Sequence, residues 1–161
     1  MPITDEQKQA LLSFNDGKPL VITGRESTDG RDEFQVSAFV RTISSPTPDF
    51  IGSVTLSLSF PANFPTVNPT VQLLQCRLFH PNFSDDGIWI GSNLESNESL
   101  SDYLMRLIWV LQYKKIDTKN IANRNAMAWY NKRIGSGIFP TDIINYSVKT
   151  KISILRINDR T

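Results

Sequence analysis

The stretch Phe60-Pro61-Ala62-Asn63-Phe64-Pro65-Thr66-Val67-Asn68-Pro69, followed by His80-Pro81-Asn82 and then Gly87, decides how this chain is read. Upstream of it, Val54, Leu56, Leu58 and Phe60 alternate with Ser53, Thr55, Ser57 and Ser59. Further upstream, Phe34, Val36, Ala38 and Val40 alternate with Gln35, Ser37, Phe39 and Arg41. A period of two with one polar face predicts antiparallel strands covered on one side. Between the two runs, residues 44–49 carry two prolines and read as a turn-rich connection. Downstream, Val71 and Leu73 give way to Leu74, Cys76 and Leu78, a third strand whose apolar phase slips by one residue, as at a bulge. Residues 80–99 hold Pro81, Gly87 and Gly91 and no sustained period. A structureless stretch of roughly 20 residues inside a domain is usually functional or disordered.

Helices flank this region. Thr4 followed by Gln7 fits a capping box, predicting a helix over residues 4–14 that stops at Asn15-Asp16-Gly17. Leu100, Tyr103, Leu104, Leu107, Ile108 and Leu111 fall on one face of a second helix, which Ser99 or Ser101 can cap. Met105, Trp109 and Val110 widen its apolar arc, so this helix is expected to be central. Residues 121–132 and 141–155 read as two more helices, the last with Ile144, Val148, Ile152 and Leu155 on one side. Helix, strands, long loop, helices is an α+β order.

The chain has 161 residues, 40% of them hydrophobic and 20% charged, which matches one globular domain over residues 1–161. With one Cys and one His, an internal disulfide is impossible, and Cys76 and His80 cannot supply the four ligands of a structural zinc. The 17 bases and 16 acids leave a net charge of +1, with no global pull toward nucleic acid or an anionic membrane. The distribution is uneven. Residues 82–102 hold Asp85, Asp86, Glu95, Glu98 and Asp102 without a base, whereas residues 106–133 hold seven bases and one acid, Asp117. Such runs are most often solvated faces. No basic-then-apolar leader and no run of about 18 apolar residues occurs, so an intracellular protein, cytoplasmic or nuclear, without membrane insertion is expected.

Among groups that could do chemistry, His80-Pro81-Asn82 is the densest. A lone His beside Pro is usually a hydrogen-bonded structural group, because catalysis needs a nucleophile or partner base within reach. There is no G-x-S-x-G, no Gly-rich phosphate loop and no metal-ligand cluster, so no cofactor or metal is expected. Cys76, at an inward strand position, reads as a core thiol.

Taken together, these residues resemble the ubiquitin-conjugating enzyme family, whose pattern is F-P-x-x-[YF]-P-x-x-P-P, then H-P-N and a Gly. Residues 34–42 and 49–60 resemble its first long hairpin. Asn123, Ala126 and Tyr130 fall on its N-x-x-A-A-x-x-Y helix, with Met127 at the second Ala. The resemblance runs over residues 4–155. It implies an N-terminal helix, a four-stranded antiparallel meander, a long active-site-type loop, a central helix and two C-terminal helices. In that family the catalytic Cys lies ten residues after the His of H-P-N. Here that position is Ile90, within Gly87-Ile88-Trp89-Ile90-Gly91, and no Cys follows Arg77. An aliphatic side chain cannot form a thioester, so the resemblance implies a pseudo-enzyme. Asn82, which steadies the oxyanion in active relatives, is then expected to tie the loop to backbone groups.

Other departures agree. Asp5 and Glu6 lead the first helix where active relatives carry bases for the activating enzyme. Thr66 follows Pro65 where a large apolar residue docks RING ligases, and Ser96-Asn97-Glu98-Ser99 replaces a W-S-P-A loop. The resemblance therefore implies a protein-binding or scaffolding subunit, and Tyr113-Lys114-Lys115-Ile116-Asp117-Thr118 is similar to the Fused Toes or Akt-interacting protein group. The alternatives are a non-catalytic cofactor that pairs with an active conjugating enzyme or binds ubiquitin, and, from another class, an enzyme using Cys76, or Asn82 with Asp85 and Asp86. Expected partners are ubiquitin, a conjugating enzyme or a coiled-coil adaptor. Expected contact residues are Trp89, Pro65, Thr66, Glu98, Lys114 and Lys115; these lysines, with Lys119 and Arg124, would suit an acidic partner.

Overall fold

The alternation around residues 34–60 is what the chain builds. A computed structural model describes residues 3–12, 20–25, 30–74 and 76–140. Strands β1 (Leu20–Arg25), β2 (Asp32–Ala38), β5 (Val54–Phe60) and β6 (Thr70–Leu73) form one antiparallel sheet in that spatial order. The connection from β2 to β5 carries a second, two-stranded sheet, β3 (Thr42–Ser45) with β4 (Asp49–Ile51). Helices α1 (Asp5–Leu12), α2 (Leu100–Leu111) and α3 (Arg124–Arg133) complete an α+β architecture. None of these helices is long and apolar enough to cross a membrane.

Register explains the one-sided burial. Phe34 lies opposite Leu58, Val36 opposite Leu56, and Leu58 opposite Val71, so the apolar positions align across three strands and are all buried. Their neighbours Gln35, Ser57 and Gln72 line the other face, where Glu33 accepts a hydrogen bond from Ser57 Oγ at 3.0 Å. The predicted stripe of α2 packs on the inner face: Leu104, Leu107, Ile108 and Leu111 share one apolar cluster with the strands and with Leu11 of α1. The capping box forms at α1, Thr4 N–H donating to Gln7 Oε1 at 2.9 Å and Gln7 N–H to Thr4 Oγ1 at 3.1 Å. Ser99 Oγ caps α2 by accepting from Asp102 N–H at 3.1 Å.

Several expectations change. The third strand ends at Leu73, and the apolar slip marks that end instead of a bulge: Leu74 is exposed and Leu78 is buried from the following irregular stretch. Cys76 therefore sits beyond the strand, half-buried at the edge of the core. The hairpin expected over residues 34–42 and 49–60 is divided, because β2 and β5 pair in the main sheet while β3 and β4 pair separately. The helix expected at residue 121 begins at Arg124. Pro81 C=O accepts from both Ala122 N–H (2.7 Å) and Asn123 N–H (3.1 Å), holding that segment out of the helix, and Asn123 Oδ1 then caps it through Ala126 N–H at 3.0 Å. Strand β1 carries the β-favouring run Leu20-Val21-Ile22-Thr23, which does not alternate between apolar and polar residues. The end of the first predicted helix, residues 13 and 14, and the helix predicted over 141–155 lie outside the described residues.

Candidate functional site

Residues 80–99 are neither structureless nor detached. Leu73 N–H donates to Gly87 C=O at 2.9 Å and Trp89 N–H to Val71 C=O at 3.0 Å, so the chain returns along the free edge of β6. Gly87 makes this approach possible. Its φ is +80°, and a Cβ there would come within 3.0 Å of Leu73 Cβ.

His80 and Asn82 are both fully buried. Asn82 N–H donates to His80 Nδ1 at 3.0 Å, so the imidazole proton is on Nε2, which donates to Val110 C=O at 2.6 Å. The ring thus satisfies a carbonyl in the last turn of α2. Burial, only partly offset by the hydrogen bond to Val110, pulls its pKa down to about 4. His80 is a neutral structural group at ordinary pH.

Asn82 is used up in the same way. Its Nδ2 donates to Asp117 C=O at 2.7 Å and to Asn120 C=O at 2.8 Å, while its Oδ1 accepts from Asp117 N–H at 2.9 Å. Both amide hydrogens are spent on backbone, leaving none for a developing oxyanion. With the two Pro81 C=O bonds, this ties residues 80–82 to the turn between α2 and α3. Asp117 closes that turn by accepting from Lys119 N–H and Asn120 Nδ2. Burial would raise its pKa, but the hydrogen bonds from Asn120 and Lys119 prevail and hold it below the usual carboxylate range.

A half-open cleft of about 440 Å³ lies beside this clamp, with Trp89, Gly91 and Arg106 on one side and Lys115, Asp117 and Asn120 on the other. Gly91, at φ +89°, lets the walls meet, since a Cβ would lie 2.7 Å from Asp117 Oδ2. Ile90 adjoins it, half-buried, with its N–H on Asn82 C=O at 2.8 Å. Arg106 fixes the other wall. Its guanidinium forks onto Glu98 (Nε to Oε2 3.0 Å, Nη2 to Oε1 2.9 Å) and reaches Gly91 C=O at 3.2 Å and Asn93 C=O at 2.7 Å. It also lies over the Trp89 and Tyr103 rings. Burial raises the Glu98 pKa, and the Arg106 hydrogen bonds, the Glu95 N–H bond and the charges of Arg106 and Lys115 together more than reverse that, leaving the carboxyl below its ordinary value. Among the described residues, no Ser or Cys lines the cleft, and Thr118 is its one hydroxyl side chain. Burial raises the Cys76 thiol, away from the thiolate a nucleophile needs.

Two expected contact residues are corrected here. Trp89 is only 1% exposed, packed 5.4 Å from the Tyr103 ring, so it belongs to the core and only its edge reaches the floor of the cleft, too little surface to anchor a partner. Glu98 is committed to Arg106 and nearly buried. Pro65, Thr66, Lys114 and Lys115 are exposed as expected, the first two after a turn closed by Phe64 N–H on Pro61 C=O. Lys115 stands on the cleft rim beside Lys119. The sequence marks Asp117 as the lone acid among seven bases without assigning it a role, and it assigns none to Arg106 or Asn120; a lone base inside the apolar arc of α2 is the available signal for Arg106, and Asn120 has none.

No protein-family model matches this chain, and no curated protein matches its sequence.

Proposed function

We propose that the chain is a catalytically inactive ubiquitin-conjugating enzyme-like domain that works as a protein-binding or scaffolding subunit. The observation that carries this reading is the saturation of Asn82: the residue that would serve a thioester reaction has every amide hydrogen on backbone. Ile90 supplies no nucleophile at the position the family resemblance assigns to one, and among the described residues the cleft beside it offers no thiol or serine hydroxyl, only that of Thr118. What supports a binding role is the accessible surface at Pro65, Thr66 and Val67 and the exposed lysines Lys114 and Lys115.

The test is incubation with activating enzyme, ATP and ubiquitin, followed by electrophoresis with and without reductant. The expected result is no thiol-sensitive adduct. A reducible band that disappears on Cys76→Ser would overturn the inactive reading. Affinity purification then tells the roles apart: a co-purifying coiled-coil adaptor supports the scaffold, and a co-purifying conjugating enzyme replaces it with the cofactor role.

A further inference from the structure

The turn between β3 and β4 reads Ser44-Ser45-Pro46-Thr47-Pro48-Asp49, so two hydroxyl residues in succession are each followed by proline. Both hydroxyls converge on one carboxylate oxygen. Ser45 Oγ donates to Asp49 Oδ2 at 2.6 Å and Thr47 Oγ1 donates to the same atom at 3.0 Å. Ser44 Oγ adds a bond to Asp49 C=O at 3.2 Å. Pro46, Thr47 and Asp49 are exposed, Ser45 is half-buried, and Ser45 pairs with Asp49 across the hairpin after a register irregularity at Ile43. These hydroxyl bonds therefore close a tip that regular strand pairing holds only weakly. Those from Ser45 and then Thr47 also keep the Asp49 carboxyl ionised below its usual range.

We propose that this turn is a phosphoacceptor site for a proline-directed serine/threonine kinase, and that a phosphoryl group on Ser45 or Thr47 unlocks the hairpin. A proline after the acceptor has a fixed φ and no N–H to satisfy, which suits recognition in an apolar kinase pocket. In the transfer, the bond from the hydroxyl oxygen to the γ-phosphorus of ATP forms as the bond to the β–γ bridging oxygen breaks. ADP leaves and the hydroxyl proton passes to the kinase base. The ester oxygen can no longer donate to Asp49, and a charge of about −1.5 to −2 arrives beside a carboxylate, which drives the two apart. The consequence reaches inward, because the hairpin base is held by Phe79 N–H on Ile43 C=O at 3.0 Å, with Ile43 buried against Tyr113 and Trp129.

The test is incubation of the whole protein with a purified proline-directed kinase and ATP, with the modified residue located by peptide mass spectrometry. Incorporation at Ser45 or Thr47 is expected, and none there in the Ser45→Ala/Thr47→Ala variant. No incorporation at either residue overturns the site. Amide exchange of the phosphorylated protein should then be about tenfold faster at β3 and β4 and unchanged at β2 and β5. In the Asp49→Asn background the acceleration should be smaller, because the repelling charge is gone and only the lost hydroxyl bonds remain. Unchanged exchange in the native background, or equal acceleration with Asn at 49, overturns the unlocking.

Discussion

His80 and Asn82 behave as one unit at the residue scale: the backbone N–H of the second fixes the tautomer of the first, and each then satisfies carbonyls far along the chain. The imidazole gives this unit a pH signature. Its pKa falls from 6.5 in the unfolded chain to about 4 when folded, so between those values the unfolded state binds the proton and the folded state does not. The stabilisation is complete above pH 6.5 and is lost as pH falls toward 4, a total of about 3 kcal/mol. Urea midpoints measured across that window should decline in the native protein, and His80→Gln, which can still donate to Val110 C=O, should flatten the decline. An equal slope in the variant would place the titrating group elsewhere.

Among the elements, α2 does more than cover the sheet. Through Arg106 it straps residues 91–98 across the mouth of the cleft, with Ser99 capping the same helix at the end of the strap. The Arg106 and Glu98 side chains are only 11% and 10% exposed, so removing Arg106 leaves the nearly buried Glu98 charge and two backbone carbonyls without their Arg106 partner. Arg106→Met should cost about 3 kcal/mol in chemical denaturation. Arg106→Lys should recover less than half of that, since an ammonium cannot fork onto the carboxylate and reach the carbonyls together. Full recovery by Lys would show that charge alone holds the strap.

At the scale of the whole molecule, two apolar clusters meet at the His80 to Asn82 segment. The larger joins the sheet, α1, α2 and Trp89. The smaller joins Ile43, Tyr113 and Trp129 to half-buried Tyr130 and Phe139, whose rings lie 4.9 Å apart. The smaller cluster has the fewer buried side chains and is the one expected to open first. Phe139→Ala should cost about 2 kcal/mol and speed amide exchange in α3 while leaving β2 and β5 unchanged. Uniform acceleration in both regions would mean that the clusters open together.

The amino-acid sequence by itself determined what local geometry controls. The period-two faces of β2 and β5, the apolar stripe of α2 and the Thr4 and Ser99 caps were legible because their partners lie within a few residues or repeat at the period of the element. The absence of a thiol after Arg77 was also legible, since it depends only on covalent identity. Only the tertiary structure decided that Asn82 spends its amide on carbonyls 35 and 38 residues away, that Arg106 claims Glu98, and that Trp89 faces inward. Those outcomes follow from which surfaces packing brings together. A side chain's periodicity shows which face it occupies, whereas its partner depends on where the rest of the chain comes to lie.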